Sequence, residues 1–279
     1  MNKLKTAILA VILTLSVPVF GTEQVKVTEN VKFEKDNFFA ITSAFDQGLL
    51  DNFTEKVLSY NEKKLYVYFD SPGGSVIALS RMVRIMKNHS NKIKFVCIAN
   101  FAASAAFMLF EHCNQRLLVS DGILMSHNWS GGFEDEYPRM LSLMNAIQSL
   151  VGVMEEVVIG KMSVDTEEYM SLINRNLWMP LRLAEKYGAI DGTANVTCSK
   201  TLIKQRLKTS FQVRNFFGGN GEVQIVYKSG CPLIQKTYSR PKQNGYDEFV
   251  ENSQTLFNLS QQTYKSTDAN WIYKGNKRK

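Results

Sequence analysis

Two stretches of β-rich sequence each end in a cluster of small residues and then change to helical period. Leu65 to Phe69 is an apolar β run ending in Ser71-Pro72-Gly73-Gly74-Ser75, and residues 76–87 (VIALSRMVRIMK) then repeat apolar groups every three to four positions. The unit recurs at once: Ile93 to Ala99 is a second β run, Ala102-Ala103-Ser104-Ala105-Ala106 follows, and Phe107 to Phe110 continue as a buried helix. A switch from strand to helix period across a turn, twice in succession, predicts an α/β fold with helices packed on a sheet. Arg116 to Val119 and Ile123 to Met125 read as two further short strands. Upstream, residues 22–36 read as a polar lead-in, Phe38 to Ile41 as a short apolar run, and Leu49, Leu50, Phe53, Val57 and Leu58 as one helix face. Downstream, 134–161 predicts a long helix and 165–173 and 180–187 two shorter ones, the last closed by Gly188.

The two small-residue clusters can also carry chemistry. Glycines at 73 and 74 let backbone N–H groups approach a ligand that a side chain would block. Such donors stabilise the oxyanion of acyl transfer. Ser104, between alanines at a helix start, is a candidate nucleophile, provided that a base takes its proton. His127 follows Ile123-Leu124-Met125 at a strand end and is the base candidate. His89 lies in a polar connection and His112 at a helix C-terminus, where a cation suits the dipole, so both read as structural. Each signal alone also fits a bland role: a tight turn, a packed serine, a core histidine.

Taken together, Ser-Pro-Gly-Gly-Ser after one strand, Ala-Ala-Ser after the next and Met-x-His after two more resemble the Clp protease proteolytic subunit family. Gly131-Gly132 within 128–133 resembles the family's loop after the histidine, 134–161 its oligomer-building handle helix, and Ala184 to Asp191 (AEKYGAID) its Ala-x-x-Tyr-Gly-x-x-Asp segment. The likeness covers roughly residues 37–194. It implies a ClpP/crotonase-like fold, a repeated β-β-α superhelix. It also implies a serine hydrolase acting as a protease, with no cofactor and no metal. Carried across, the nucleophile is Ser104, the base His127, and the oxyanion donors the N–H groups of Gly74 and Ala105. Gly73, Ser75, Val76, Asn128 and Trp129 would bind an extended peptide substrate, bracketed by a strand after Gly74 and by the segment after His127. The third catalytic position departs from the family: where an aspartate is expected, the segment reads Asn174-Arg175-Asn176. Asn176 could orient an imidazole but not stabilise its cation by charge. Asp191 and Asp165 are the other nearby carboxylates. A homo-oligomer is expected from the likeness.

Lys3 and Lys5, the apolar run Ala7 to Val17 and the small residues near Gly21 read as a secretory signal peptide over 1–21. The mature protein is therefore expected in the periplasm or outside the cell, and no later segment reads as long and apolar enough to span a bilayer. Four cysteines in an exported chain permit disulfides and allow three pairings. Cys198 with Cys231 is preferred, since both lie in the C-terminal part, while Cys97 in its apolar strand reads as a buried thiol. The net charge of +7 is unevenly placed: residues 195–279 hold 14 Lys and Arg against 5 Asp and Glu, the remainder 19 against 21. A peptidase domain over 22–194 is thus expected to precede a small basic C-terminal extension, 195–279, with an anionic partner as one role. Two other functions stand beside the peptidase: a catalytically weak or inactive scaffold, for which Asn176 argues, and a crotonase-type acyl-CoA enzyme, against which the Ser/His pair argues. Signal-peptide-degrading peptidases with a Ser–Lys dyad fit less well than a histidine base.

Overall fold

The computed structural model describes residues 27–131, 135–214, 220–234 and 237–239. The proposed leader 1–21, Gly132 and Phe133, residues 215–219 and the end of the basic extension from 240 on lie outside the described residues. In chain order the elements are β1 (Val27–Phe33), β2 (Phe38–Ile41), α1 (Gln47–Leu58), β3 (Lys64–Ser71), α2 (Val76–His89), β4 (Lys94–Ala103), α3 (Ala105–Glu111), β5 (Gln115–Ser126), α4 (Tyr137–Lys161), α5 (Thr166–Ile173), β6 (Leu177–Pro180), α6 (Leu181–Lys186), β7 (Gly192–Cys198), α7 (Lys200–Lys204), β8 (Arg206–Arg214), β9 (Asn220–Ser229) and β10 (Thr237–Ser239). Seven of the strands form one sheet in the order β1-β7-β5-β4-β3-β2, with β6 paired to the end of β5. All pairings in it are parallel except β5 with β6.

Strand alternation divides two cores between the faces of this sheet. Leu65, Val67 and Phe69 of β3, with Phe95, Cys97 and Ala99 of β4, belong to a large core that includes buried residues of α1 to α5. Tyr68, Val96 and Ile98, the alternate positions, join a smaller core with Val31 and Phe33 of β1, Leu202 of α7 and Cys231. A parallel sheet covered on both faces needs apolar side chains on both, which is why β3 and β4 read as near-continuous apolar runs.

Several sequence expectations are corrected. The polar lead-in contains a strand: β1 pairs with β7 along its length, and Val31 and Phe33 are buried between polar neighbours that had hidden the alternation. The two short strands at 116–125 are one, β5. The partner of Ala99 is Leu118 and that of Phe101 is Ile123, so Val119 to Gly122 bulge out of the ladder. Cys97 is not a free thiol: it is disulfide-bonded to Cys113. Cys198 is bonded to Cys231, as preferred. The boundary near 194 falls inside β7, which stays in the main sheet to Cys198. Beyond it β8, β9 and β10 form a separate antiparallel sheet. Finally, α4 is long and apolar enough, by length and composition, to cross a membrane. The stretch between Met140 and Met154 carries no charged residue, and Leu141, Leu143, Met144 and Val153 are exposed on it.

Candidate active site

The serine segment lies where β4 ends and α3 begins. Ser104 occupies the turn with φ 57° and ψ −124°, a conformation that an L-residue adopts only at a cost of about 1–3 kcal/mol. A sharp, strained strand-to-helix turn is what holds a serine hydroxyl clear of its neighbours in hydrolase nucleophile elbows. Three features fix it. The Ser104 N–H donates to the Met125 carbonyl at 2.9 Å, and the Ser104 carbonyl accepts from Met108 at 3.0 Å. Gly73 packs behind it so closely that a Cβ there would sit 2.8 Å from the Ser104 Cβ.

β5 delivers His127 from the neighbouring strand. Ala103 pairs with Met125, two residues before the histidine, so the ends of β4 and β5 bring the two side chains together. His127 Nε2 lies 2.8 Å from Ser104 Oγ. With its hydrogen on Nδ1, the neutral ring accepts the hydroxyl proton through Nε2. Burial holds the imidazole below its ordinary pKa of 6.5, which keeps it unprotonated near neutrality.

The glycine turn completes the cleft. Gly73 and Gly74 have φ of 94° and 143°, in the region that favours glycine. The turn is latched to Phe45: its N–H donates to the Gly73 carbonyl at 2.8 Å, and the Ser75 N–H donates to the Phe45 carbonyl at 2.9 Å. Between these two bonds the Gly74 N–H is uncommitted among the described residues, and so is the Ala105 N–H in the first turn of α3. Helix N-terminal donors of this kind are available to an anion.

The other expected residues fall as follows. No strand follows Gly74: Ser75 is the N-cap of α2, its hydroxyl accepting from the Ala78 N–H at 3.3 Å, and half-buried Val76 is the first helical residue. Trp129 is half-buried against the large core. Exposed Asn128 donates through its side chain to Asn174 Oδ1 at 2.5 Å. Asn176 is exposed just past α5 with φ 59°, and no hydrogen bond joins its side chain to His127 among the described residues. Asp165 caps α5 by accepting from the Glu168 N–H at 2.8 Å. Asp191 receives three hydrogen bonds from Arg116. Each carboxylate is thus committed away from the imidazole.

His89 and His112 sit at helix ends, each donating Nδ1–H to the carbonyl four residues back. The expectation of a cationic His112 is corrected: burial above all, helped by the repulsion of Lys87 and Lys161, lowers its pKa. The sequence did not reveal the buried Glu111–Arg116–Lys161 cluster beneath α3. Glu111 is fully buried, with one oxygen 2.6 Å from Arg116, while Lys161 of α4 donates to the carbonyls of Glu111 and Cys113. Charges at positions 111 and 116, so close in sequence and both in apolar surroundings, were the available signal.

Residues 56–196, half of the chain, match the family model described as Clp protease. The chain belongs to the Clp protease family. Among its relatives, the ATP-dependent Clp protease proteolytic subunit of Borreliella afzelii (strain PKo) is 26% identical over 132 residues, 47% of this chain and 67% of the relative. Proteolytic subunit 1 of Borreliella burgdorferi is equally similar, over 68% of its length, and the subunit of Nephroselmis olivacea is 25% identical over 131 residues, 63% of its length. The matched region of this Clp family member holds the glycine turn, Ser104, His127 and the 174–176 segment, while β1, β8, β9 and β10 lie outside it.

Proposed function

We propose that this chain is an exported serine peptidase that cleaves peptide bonds through an acyl-enzyme on Ser104. The observation that carries the reading is the 2.8 Å Ser104–His127 contact beside two uncommitted backbone N–H groups. Ser104 Oγ attacks the scissile carbonyl carbon as its proton passes to His127 Nε2. The N–H groups of Gly74 and Ala105 donate hydrogen bonds to the developing oxyanion. The C–N bond breaks as His127 returns that proton to the leaving amine. Water then attacks the ester, giving its proton to the same nitrogen, and Ser104 is regenerated. The substrate lies between the turn at Gly73-Gly74-Ser75-Val76 and the segment Asn128-Trp129. Two disulfides support an oxidising compartment, in line with a leader over 1–21. The exposed apolar residues of α4 support a homo-oligomer, and the relatives are called subunits. The basic C-terminal sequence, rich in Lys and Arg, is suited to an anionic partner.

One observation favours a second reading, a weak or inactive scaffold: Asn176 neither carries charge nor bonds His127. Hydrolysis of a fluorogenic peptide library by the purified protein, with Ser104→Ala and His127→Ala in parallel, separates the two. Turnover lost by ~10²-fold or more in both variants supports the peptidase. Turnover equal in wild type and Ser104→Ala points to a contaminant and leaves the scaffold.

A further inference from the structure

With no side chain bonded to Nδ1 of His127 among the described residues, something else must hold the ring toward Ser104. The candidates are the contacts of its chain neighbours. Ser126, immediately before it, is buried, and its Oγ lies 2.8 Å from the Tyr169 hydroxyl, itself buried in α5. Asn128, immediately after it, donates through Nδ2 to Asn174 Oδ1 at the C-terminal cap of the same helix. One short helix therefore grips both flanks of the histidine. The backbone on the Ser104 side is closed as well: Ser126 pairs with Leu177 of β6, and Met125 accepts the Ser104 N–H.

We infer that Tyr169 and Asn174 are positioning residues for His127, a clamp that does structurally what a third catalytic carboxylate does by hydrogen bonding in a Ser-His-Asp triad. The inference rests on the proposed Ser–His chemistry. A buried hydroxyl pair is costly to leave half-made, so the Ser126–Tyr169 contact resists rotation of the strand end. The Asn128–Asn174 bond stops the following residue from peeling away. With both neighbours fixed, the Cα–Cβ vector of His127 is fixed, and the ring needs only its side-chain torsions to reach Oγ. A clamp of this kind supplies geometry but no charge, so the imidazolium formed during acylation is stabilised less than in a full triad.

The test uses Tyr169→Phe, Asn174→Leu, their double variant and the conservative Asn174→Asp, which keeps an acceptor for Asn128. Two quantities are read: the rate of Ser104 acylation by a fluorophosphonate, and the pKa of the His127 ring by NMR titration. Each single loss should slow acylation about tenfold and the double variant up to ~10²-fold, the size of effect that a ~1 Å misplacement produces. Asn174→Asp should stay within about threefold of wild type, because the same bond is made. In the double variant the His127 titration should move up toward its ordinary value of about 6.5 as the ring swings into water. Rates and titration unchanged in the double variant would overturn the clamp. So would rates that fall only in step with melting temperature, with Asn174→Asp no better than Asn174→Leu and the titration unmoved. If the wild type itself does not acylate, the peptidase reading fails, and the NMR comparison alone decides the clamp: a shifted titration keeps it and an unshifted one removes it.

Discussion

Gly73 is the position where turn geometry and catalysis are most tightly joined, and Gly73→Ala separates them. Its φ of 94° is one that an alanine enters at a cost of about 1–3 kcal/mol. The new Cβ would lie 2.6 Å from the Ala103 carbonyl oxygen and 2.8 Å from both the Ala105 nitrogen and the Ser104 Cβ. Two of these are backbone atoms and the third is the root of the nucleophile, so none can rotate away. Overpacking of this sort costs about 1–3 kcal/mol more. The expected destabilisation is therefore about 2–6 kcal/mol, or a melting temperature lower by roughly 5–20 °C for a domain of this size. Relief requires the serine segment to retreat by about half an ångström, which should slow acylation by ~10- to 10²-fold. Thermal unfolding followed by circular dichroism and timed fluorophosphonate labelling measure the two effects. Gly152→Ala is the control: nothing lies within 4 Å of a Cβ there. In the middle of α4 it should add up to about 1 kcal/mol of stability and leave labelling unchanged. A Gly73→Ala protein with wild-type melting and wild-type labelling would refute the close packing of turn on elbow.

Burial pushes the Glu111 carboxyl up to about 8, against the attraction of Arg116 and Lys161. Between its ordinary 4.5 and that value the native state holds a proton the unfolded chain has released, so stability should fall as pH rises through this window. Urea denaturation from pH 5 to 8 should show that slope and Glu111→Gln should flatten it; parallel slopes would exclude Glu111 as the cause. Because burial holds His127 below 6.5, the acid limb of kcat/KM should lie below pH 6.5, and a limb at or above 7 would contradict an unpartnered, desolvated base. Replacing both Cys198 and Cys231 by Ser opens a crosslink spanning 33 residues, and urea denaturation should register a loss of about 3–4 kcal/mol. A loss under about 1 kcal/mol would mean that β7 and the segment around Cys231 stay docked without it.

The parts of the site built from local sequence were legible. Pro-Gly-Gly after β3 and Ala-Ala-Ser after β4 announce backbone turns through residue types that few other conformations require, and the helical period of α2 and α4 is long enough to read. β1 was not legible, because its burial depends on β7, some 165 positions away in the pairing of Asn30 with Asn195. The bulge in β5 was misread as a break for a related reason: Asp121 and Gly122 look like a turn in sequence, yet Leu124 returns to the same ladder. The Cys97–Cys113 bridge was missed because an apolar strand environment fits a thiol and half of a disulfide equally well. At the site itself, the partner of the histidine could not be read by matching positions. Asn176 stands where a carboxylate was expected, but the side chains that reach the flanks of His127 are Tyr169 and Asn174, neither of them charged, and Asn174 lies two residues before the position that the matching pointed to.

Acylation is expected at Ser104 and at no other residue. Its most direct measurement is peptide mapping by mass spectrometry of the protein treated with a fluorophosphonate. One adduct is expected, on the peptide containing Ser104, formed in wild type and absent in both Ser104→Ala and His127→Ala. An adduct on any other residue, or one that persists in Ser104→Ala, would contradict it.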